Sequence, residues 1–109
     1  MNISQVIRET LPRFLQRVED PYDINCGLCE EFAICVIDQL GGETEILCMV
    51  WIEDITDTPF PDAAHAVIRW ESNEGYLYFD AECPEGTGDL SKIPAMANQG
   101  RTRQEVLAK

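Results

Sequence analysis

The chain has 109 residues, 45% hydrophobic and 26% charged, with twenty acidic against eight basic side chains and a formal net charge of −12. That size and balance suit a single domain spanning 1–109, able to bury roughly two thirds of its unfolded surface without covalent staples. The acidic field works against direct binding to nucleic acid or anionic membranes, which depends on Lys and Arg neutralising phosphate, and no apolar run approaches the roughly 18 residues of a membrane helix.

From the start of the chain, Ile3, Val6, Ile7, Leu11, Phe14, Leu15 and Val18 recur at helical spacing, predicting an amphipathic helix over 3–18. "EDPYDINCG" breaks the pattern, with Pro21 and Gly27 as punctuation. From about Cys29 to Leu40, residues Phe32, Ala33, Val36, Ile37 and Leu40 predict a second helix, stopped by the Gly41–Gly42 pair. "TEILCMVWI" (44–52) is a nearly continuous apolar and β-branched run that reads as a buried strand. An acidic, proline-containing loop follows over 53–63. "HAVIRW" (65–70) and "YLYFDA" (76–81) then read as the arms of a hairpin around a five-residue turn at 71–75. Beyond "CPEGTGD" the pattern is irregular, with a short terminal helix predicted over 101–108. Two N-terminal helices packed on a small three-strand antiparallel sheet make an α+β fold.

The opening "MNISQVIRETLPRFL" mixes Arg8, Glu9 and Arg13 into its apolar positions, unlike a secretory signal, so the expected compartment is cytoplasmic, where thiols stay reduced. Five cysteines, an odd number, also argue against a complete disulfide framework.

The one histidine, His65, opens a predicted strand, and Asp80 closes the next. Antiparallel pairing brings both to the open end of the hairpin. Cys29 stands at the predicted start of the second helix, so a helix packed on the sheet could aim its N-terminus at that end. Helix N–H groups and an imidazolium favour a thiolate, and a carboxylate orients the imidazole and stabilises its cation. The backbone N–H of Cys29 is one candidate oxyanion donor, and the side chain of Asn25, four residues upstream, is another.

"GLCEEFA" followed by "HAVIRWESNEGYLYFDAECPEG" resembles the papain-like superfamily, particularly its transglutaminase-like branch. The resemblance covers roughly residues 25–86 and rests on the order and spacing of its motifs. "CGLC" is similar to the papain-type C-G-x-C, and Gly27, Cys29 and Glu31 fit the G-x-C-x-E of arylamine acetyltransferases. The resemblance implies a minimal papain-like or transglutaminase-like core with Cys29 as nucleophile, His65 as general base and acid, and Asp80 as orienter. It implies acyl transfer through a thioester on a peptide or amide substrate, with no cofactor.

Other readings stay open. Cys26 is a packing neighbour of Cys29, or the nucleophile itself as in cell-wall peptidases of the NlpC type, or one member of a zinc site with Cys29, His65 and Cys83. Cys35 and Cys48 fall at core positions of their helix and strand. Trp51, Trp70, Tyr76 and Phe79 suit cross-strand packing or the lining of a groove. The acidic loop, with Glu53, Asp54, Asp57 and Asp62, would favour a cationic substrate if it lipped the cleft. A catalytically inactive acidic protein that binds a basic partner protein is the alternative to an enzyme.

Overall fold

The structure, a computed structural model, describes residues 2–25, 27–55 and 65–97. It is an α+β fold. Helix α1 (Ile3–Phe14) leads through a short helix α2 (Pro21–Asn25) into α3 (Cys29–Gln39). Strand β1 (Leu47–Trp51) passes directly into a one-turn helix α4 (Ile52–Ile55). Strands β2 (Ala66–Ser72), β3 (Gly75–Asp80) and β4 (Cys83–Thr87) follow, then a 3-10 turn at Leu90–Lys92 and a last helical turn α5 (Pro94–Ala97). The sheet is antiparallel with strand order β1-β2-β3-β4.

Helix α1 begins where Asn2 caps it, its side chain accepting from the Gln5 N–H at 2.9 Å. The predicted helix over 3–18 ends at Phe14, two residues past Pro12, whose ring removes an N–H and crowds the preceding turn. Ile3, Ile7, Thr10 and Phe14 form its buried face. Pro21, expected as a breaker, instead opens α2, where a missing N–H costs nothing and the fixed φ suits a first turn. Asp23 completes that start by accepting from the Asp20 N–H at 3.1 Å.

The sheet has four strands among the described residues, where three were expected. The unforeseen β4, "CPEGT", contains a proline and a glycine, both unfavourable in a strand interior and both tolerated at an edge. Gly86 is required there: its φ is +79°, and a Cβ would lie 2.4 Å from the Phe79 ring. Strand β1 is shorter than 44–52 because Thr44 Oγ1 accepts from the N–H groups of Ile46 and Leu47 and folds the first residues into a turn. The β2–β3 hairpin is tighter than expected. Pairing continues to Ser72–Gly75, leaving a two-residue turn, with Gly75 at φ +114°. The helix predicted over 101–108 lies outside the described residues.

The main core lies between one sheet face and α1 and α3. Ile7, Phe14, Phe32, Val36, Ile37, Leu47, Ile68 and Phe79 meet there, with Phe14 and Phe32 edge to face at 5.1 Å. Burying such side chains contributes roughly 1.5–3 kcal/mol each. A smaller cluster of Ile52, Val67 and Ile93 ties α4 and the last turns to the sheet. The core therefore clamps α3 against β2, which fixes where the N-terminus of α3 points. No helix among the described residues is long and apolar enough to cross a membrane.

Candidate active site

Ile24 and Leu28 set the position of Cys29. The Leu28 N–H donates to the Ile24 carbonyl at 2.8 Å, and the Phe32 N–H donates to Leu28 at 2.8 Å, so α2 hands over to α3 with little free chain between them. Cys29 is then the first residue of α3, whose N-cap position, Leu28, offers no side-chain acceptor. The helix N-terminus thus presents its N–H groups to the thiol rather than to a capping oxygen. The Ala66 N–H donates to Cys29 Sγ at 3.5 Å. The β2–β3 ladder ends at Ile68–Phe79, so this amide at the start of β2 is turned to the sulfur instead of to β3.

His65 directly precedes β2 and is held on both backbone groups. Its carbonyl accepts from the Ile52 N–H at 2.8 Å, and its N–H donates to Glu53 Oε1 at 3.0 Å. The ring is buried, with Nε2 3.0 Å from Asp80 Oδ2. Asp80, the last residue of β3, is equally buried, and its Oδ1 accepts from the Glu82 N–H at 2.9 Å. With Nε2 on Asp80, the same imidazole also interacts with the Cys29 thiol, through a side-chain hydrogen bond and through charge.

The electrostatics follow from these contacts. Burial by itself lowers the imidazole's proton affinity, but hydrogen bonds to Asp80 and Cys29 and their charges outweigh it, and the His65 pKa is pushed up to about 9. Burial by itself raises a thiol, yet Cys29 is pulled below its ordinary value by the His65 hydrogen bond, the Ala66 and Glu30 N–H groups and the imidazolium charge. The two shifts run in opposite directions and favour a thiolate–imidazolium pair. Cys83 shows the contrast. Its burial and the Asp80 charge push its thiol up, away from the ionised form.

The structure therefore brings Cys29, His65 and Asp80 together. Asn25 is the last residue of α2. Its Nδ2 donates to Glu82 Oε1 at 3.0 Å, and its Oδ1 is buried with no hydrogen-bond partner among the described residues, a situation that costs about 1–3 kcal/mol. Cys26 and the loop residues Asp57 and Asp62 lie outside the described residues. Among the described residues no group of three or more His, Cys, Asp and Glu side chains is placed to hold a metal ion. Trp70 and Phe79 line a cavity of about 260 Å³ with Ile3, Leu77 and Glu85, which does not include Cys29. Tyr76 is exposed and carries the Arg69 guanidinium 4.4 Å from its ring centroid.

Three contacts escaped the sequence reading: the Ala66 N–H to the sulfur, the hold of Glu53, named only as a loop acid, on the His65 backbone, and the bonds of Glu82. A backbone donor has no residue signature, and both glutamates sit in acidic stretches where nothing distinguishes them from a solvated surface. No family model, no curated protein and no solved structure matches the chain.

Proposed function

We propose that the protein is a cysteine-dependent acyl-transfer enzyme, a peptidase, amidase or transglutaminase-like catalyst on a minimal papain-like core. The observation that carries this reading is the buried Cys29–His65–Asp80 line, with Nε2 3.0 Å from the carboxylate and the thiol and imidazole shifted in opposite directions. The Cys29 thiolate attacks the carbonyl carbon of a peptide or amide. A C–S bond forms, and the electron pair moves to the carbonyl oxygen. His65, already protonated, gives its proton to the leaving nitrogen as the C–N bond breaks, leaving a thioester. Neutral His65 then takes a proton from water or from a second amine, which attacks the thioester and regenerates the thiolate. Asp80 holds the ring in place and balances its charge throughout. First-turn N–H groups of α3 are oxyanion donors, and the Asn25 amide, which gives one N–H to Glu82, keeps a second. A cytoplasmic setting, which keeps the thiol reduced, suits this chemistry.

Iodoacetamide at near-neutral pH is the test. Cys29 is expected to alkylate much faster than Cys35, Cys48 and Cys83 despite being 8% exposed, with the adduct located by mass mapping and acyl probes labelling the same residue. Uniformly slow labelling, or a fast site elsewhere, overturns the assignment. The net charge of −12 favours a second reading, an inactive acidic protein that engages a basic partner. Slow labelling of Cys29 together with capture of a basic protein would select it.

A further inference from the structure

Glu82 joins two parts of the site that no strand or helix connects. Its backbone N–H donates to Asp80 Oδ1 at 2.9 Å, which turns the other carboxylate oxygen, Oδ2, toward His65. Its side-chain Oε1 accepts from Asn25 Nδ2 at 3.0 Å, 57 residues away in sequence. Asn25 ends α2, and the Ile24–Leu28 hydrogen bond carries that position straight into Cys29. One residue thus grips the orienting carboxylate with its backbone and the nucleophile's approach segment with its side chain.

The Asn25 side of this link is held at a cost to stability. A carboxylate only accepts, so Glu82 fixes the amide with its NH2 group outward, and Oδ1 is left buried with no partner among the described residues. A position serving packing alone would be met by a residue that buries no unsatisfied acceptor. Buried polar atoms of this kind point to a geometry held for another reason.

We propose that Glu82 is a positioning residue that holds the Cys29 segment in register with the Asp80–His65 pair, so that the thiolate is stabilised only while the Glu82–Asn25 link is intact. This rests on the reading of Cys29 as nucleophile. The two contacts through which Glu82 acts are those to Asn25 and Asp80.

The sign of the effect separates positioning from charge. Removing a nearby negative charge by itself makes a thiolate easier to form. Glu82→Gln removes the charge and keeps an oxygen that can accept from Asn25. Glu82→Ala removes both, and Asn25→Ala breaks the link from the other end while deleting the buried orphan. The measurement is the pH–rate profile of iodoacetamide alkylation at Cys29 in the full chain, with folding checked by circular dichroism. In wild type the profile should rise at a pH below that of an ordinary thiol. Glu82→Ala and Asn25→Ala should shift it upward and slow neutral-pH alkylation roughly tenfold, the scale of losing one hydrogen bond to a charged group. Glu82→Gln should stay near wild type, and the double alanine variant should be no worse than either single one.

Asn25→Ala should unfold at no lower temperature than wild type, so a slower thiol in it cannot be ascribed to a weakened fold. If Glu82→Ala fails to fold, the Asn25→Ala profile decides. A normal wild-type thiol profile defeats the nucleophile reading itself. A depressed wild-type profile that both alanine variants reproduce, or one that moves further down when the charge is removed, defeats the positioning role alone.

Discussion

Two polar clusters reach into this small core, and they differ in what their protons do. One joins α1 to α3: Thr10 Oγ1 donates to the Val6 carbonyl at 2.7 Å and accepts from Gln39 Nε2 at 2.8 Å, and Gln39 Oε1 in turn accepts from Arg13 Nη2 at 2.9 Å. The other is Cys29, His65 and Asp80. Thr10 and His65 are both almost completely buried. In the first cluster the buried groups are neutral, so burial disturbs no titration and the bonds act as a fastener. In the second every member is ionisable, and burial combined with close partners separates the thiol and imidazole affinities. Burial of polar groups is therefore no sign of a reactive site in itself. The sign is opposed shifts on adjacent groups.

The largest effect expected on the second cluster comes from Asp80→Asn. The Glu82 N–H requires an acceptor, so the new amide must turn its oxygen to Glu82 and its NH2 to His65 Nε2. That forces Nε2 to accept from the amide and moves the ring proton to Nδ1, leaving no ring nitrogen free to take a proton. A neutral imidazole in that tautomer cannot take the thiol proton. Acyl transfer should fall by about 10²–10⁴-fold, the usual range for losing acid–base catalysis, with the fold retained. Near-wild-type labelling by acyl probes would mean that the cluster is no more than a fastener like the first.

The coupling of thiol and imidazole also shapes stability against pH, and the signs can be worked out. His65 has its folded pKa raised from 6.5 to about 9, so its contribution is fully present below 6.5 and is lost as pH rises through about 9. Cys29 has its folded pKa lowered from 9.0, so its contribution is present above 9.0 and is lost as pH falls through the folded value. Once Cys29 is ionised in the native state, the native chain holds one proton on His65 and the unfolded chain holds one on Cys29. The counts then match. Urea-unfolding stability in wild type should be level between pH 6.5 and about 9 wherever Cys29 is ionised, and fall with pH, by no more than about 1.4 kcal/mol per pH unit, only where Cys29 is still protonated. Cys29→Ser should lack the plateau and keep falling toward the imidazole's own pKa, by at most about 3 kcal/mol in all. Stability that rises with pH across this window would show that His65 is neutral in the native state.

The same distinction explains what the sequence could show. Residues whose position follows a period were legible: Phe32, Val36 and Ile37 on α3, and the β2–β3 pair that carries Asp80 and delivers His65 beside it. Cys29 at a helix start was legible because a helix start is marked by the residues after it. Strand β4 was not, because its Pro84 and Gly86 are unfavourable in isolation and become acceptable only when α1 and Phe79 lie against them. Helix α2 was hidden because Pro21 both breaks and begins helices, and only the Asp20–Asp23 bond tells which. Asn25 had the right chemistry for an oxyanion donor, and its bond to Glu82, 57 residues away, carries no signal in the sequence.

The smallest predicted effect checks that the two clusters are independent. They sit at opposite ends of α3, with Gln39 its last residue and Cys29 its first, about 15 Å apart along the axis at the α-helical rise. Thr10→Val keeps the shape and removes the hydroxyl, freeing the exposed Gln39 amide to bond with water or with the Cys35 carbonyl, 3.2 Å from Nε2. Losing two such bonds at a buried site should cost about 1–2 kcal/mol, read from the urea midpoint. Sites separated by more than about 7–10 Å with no shared partner add independently, so the pH–rate profile of Cys29 alkylation should not move. A shifted profile would mean that α3 transmits the loosening of its C-terminal end to the thiol. The helix would then be part of the machinery that tunes Cys29, and the division between fastener and reactive cluster would fail at the element they share.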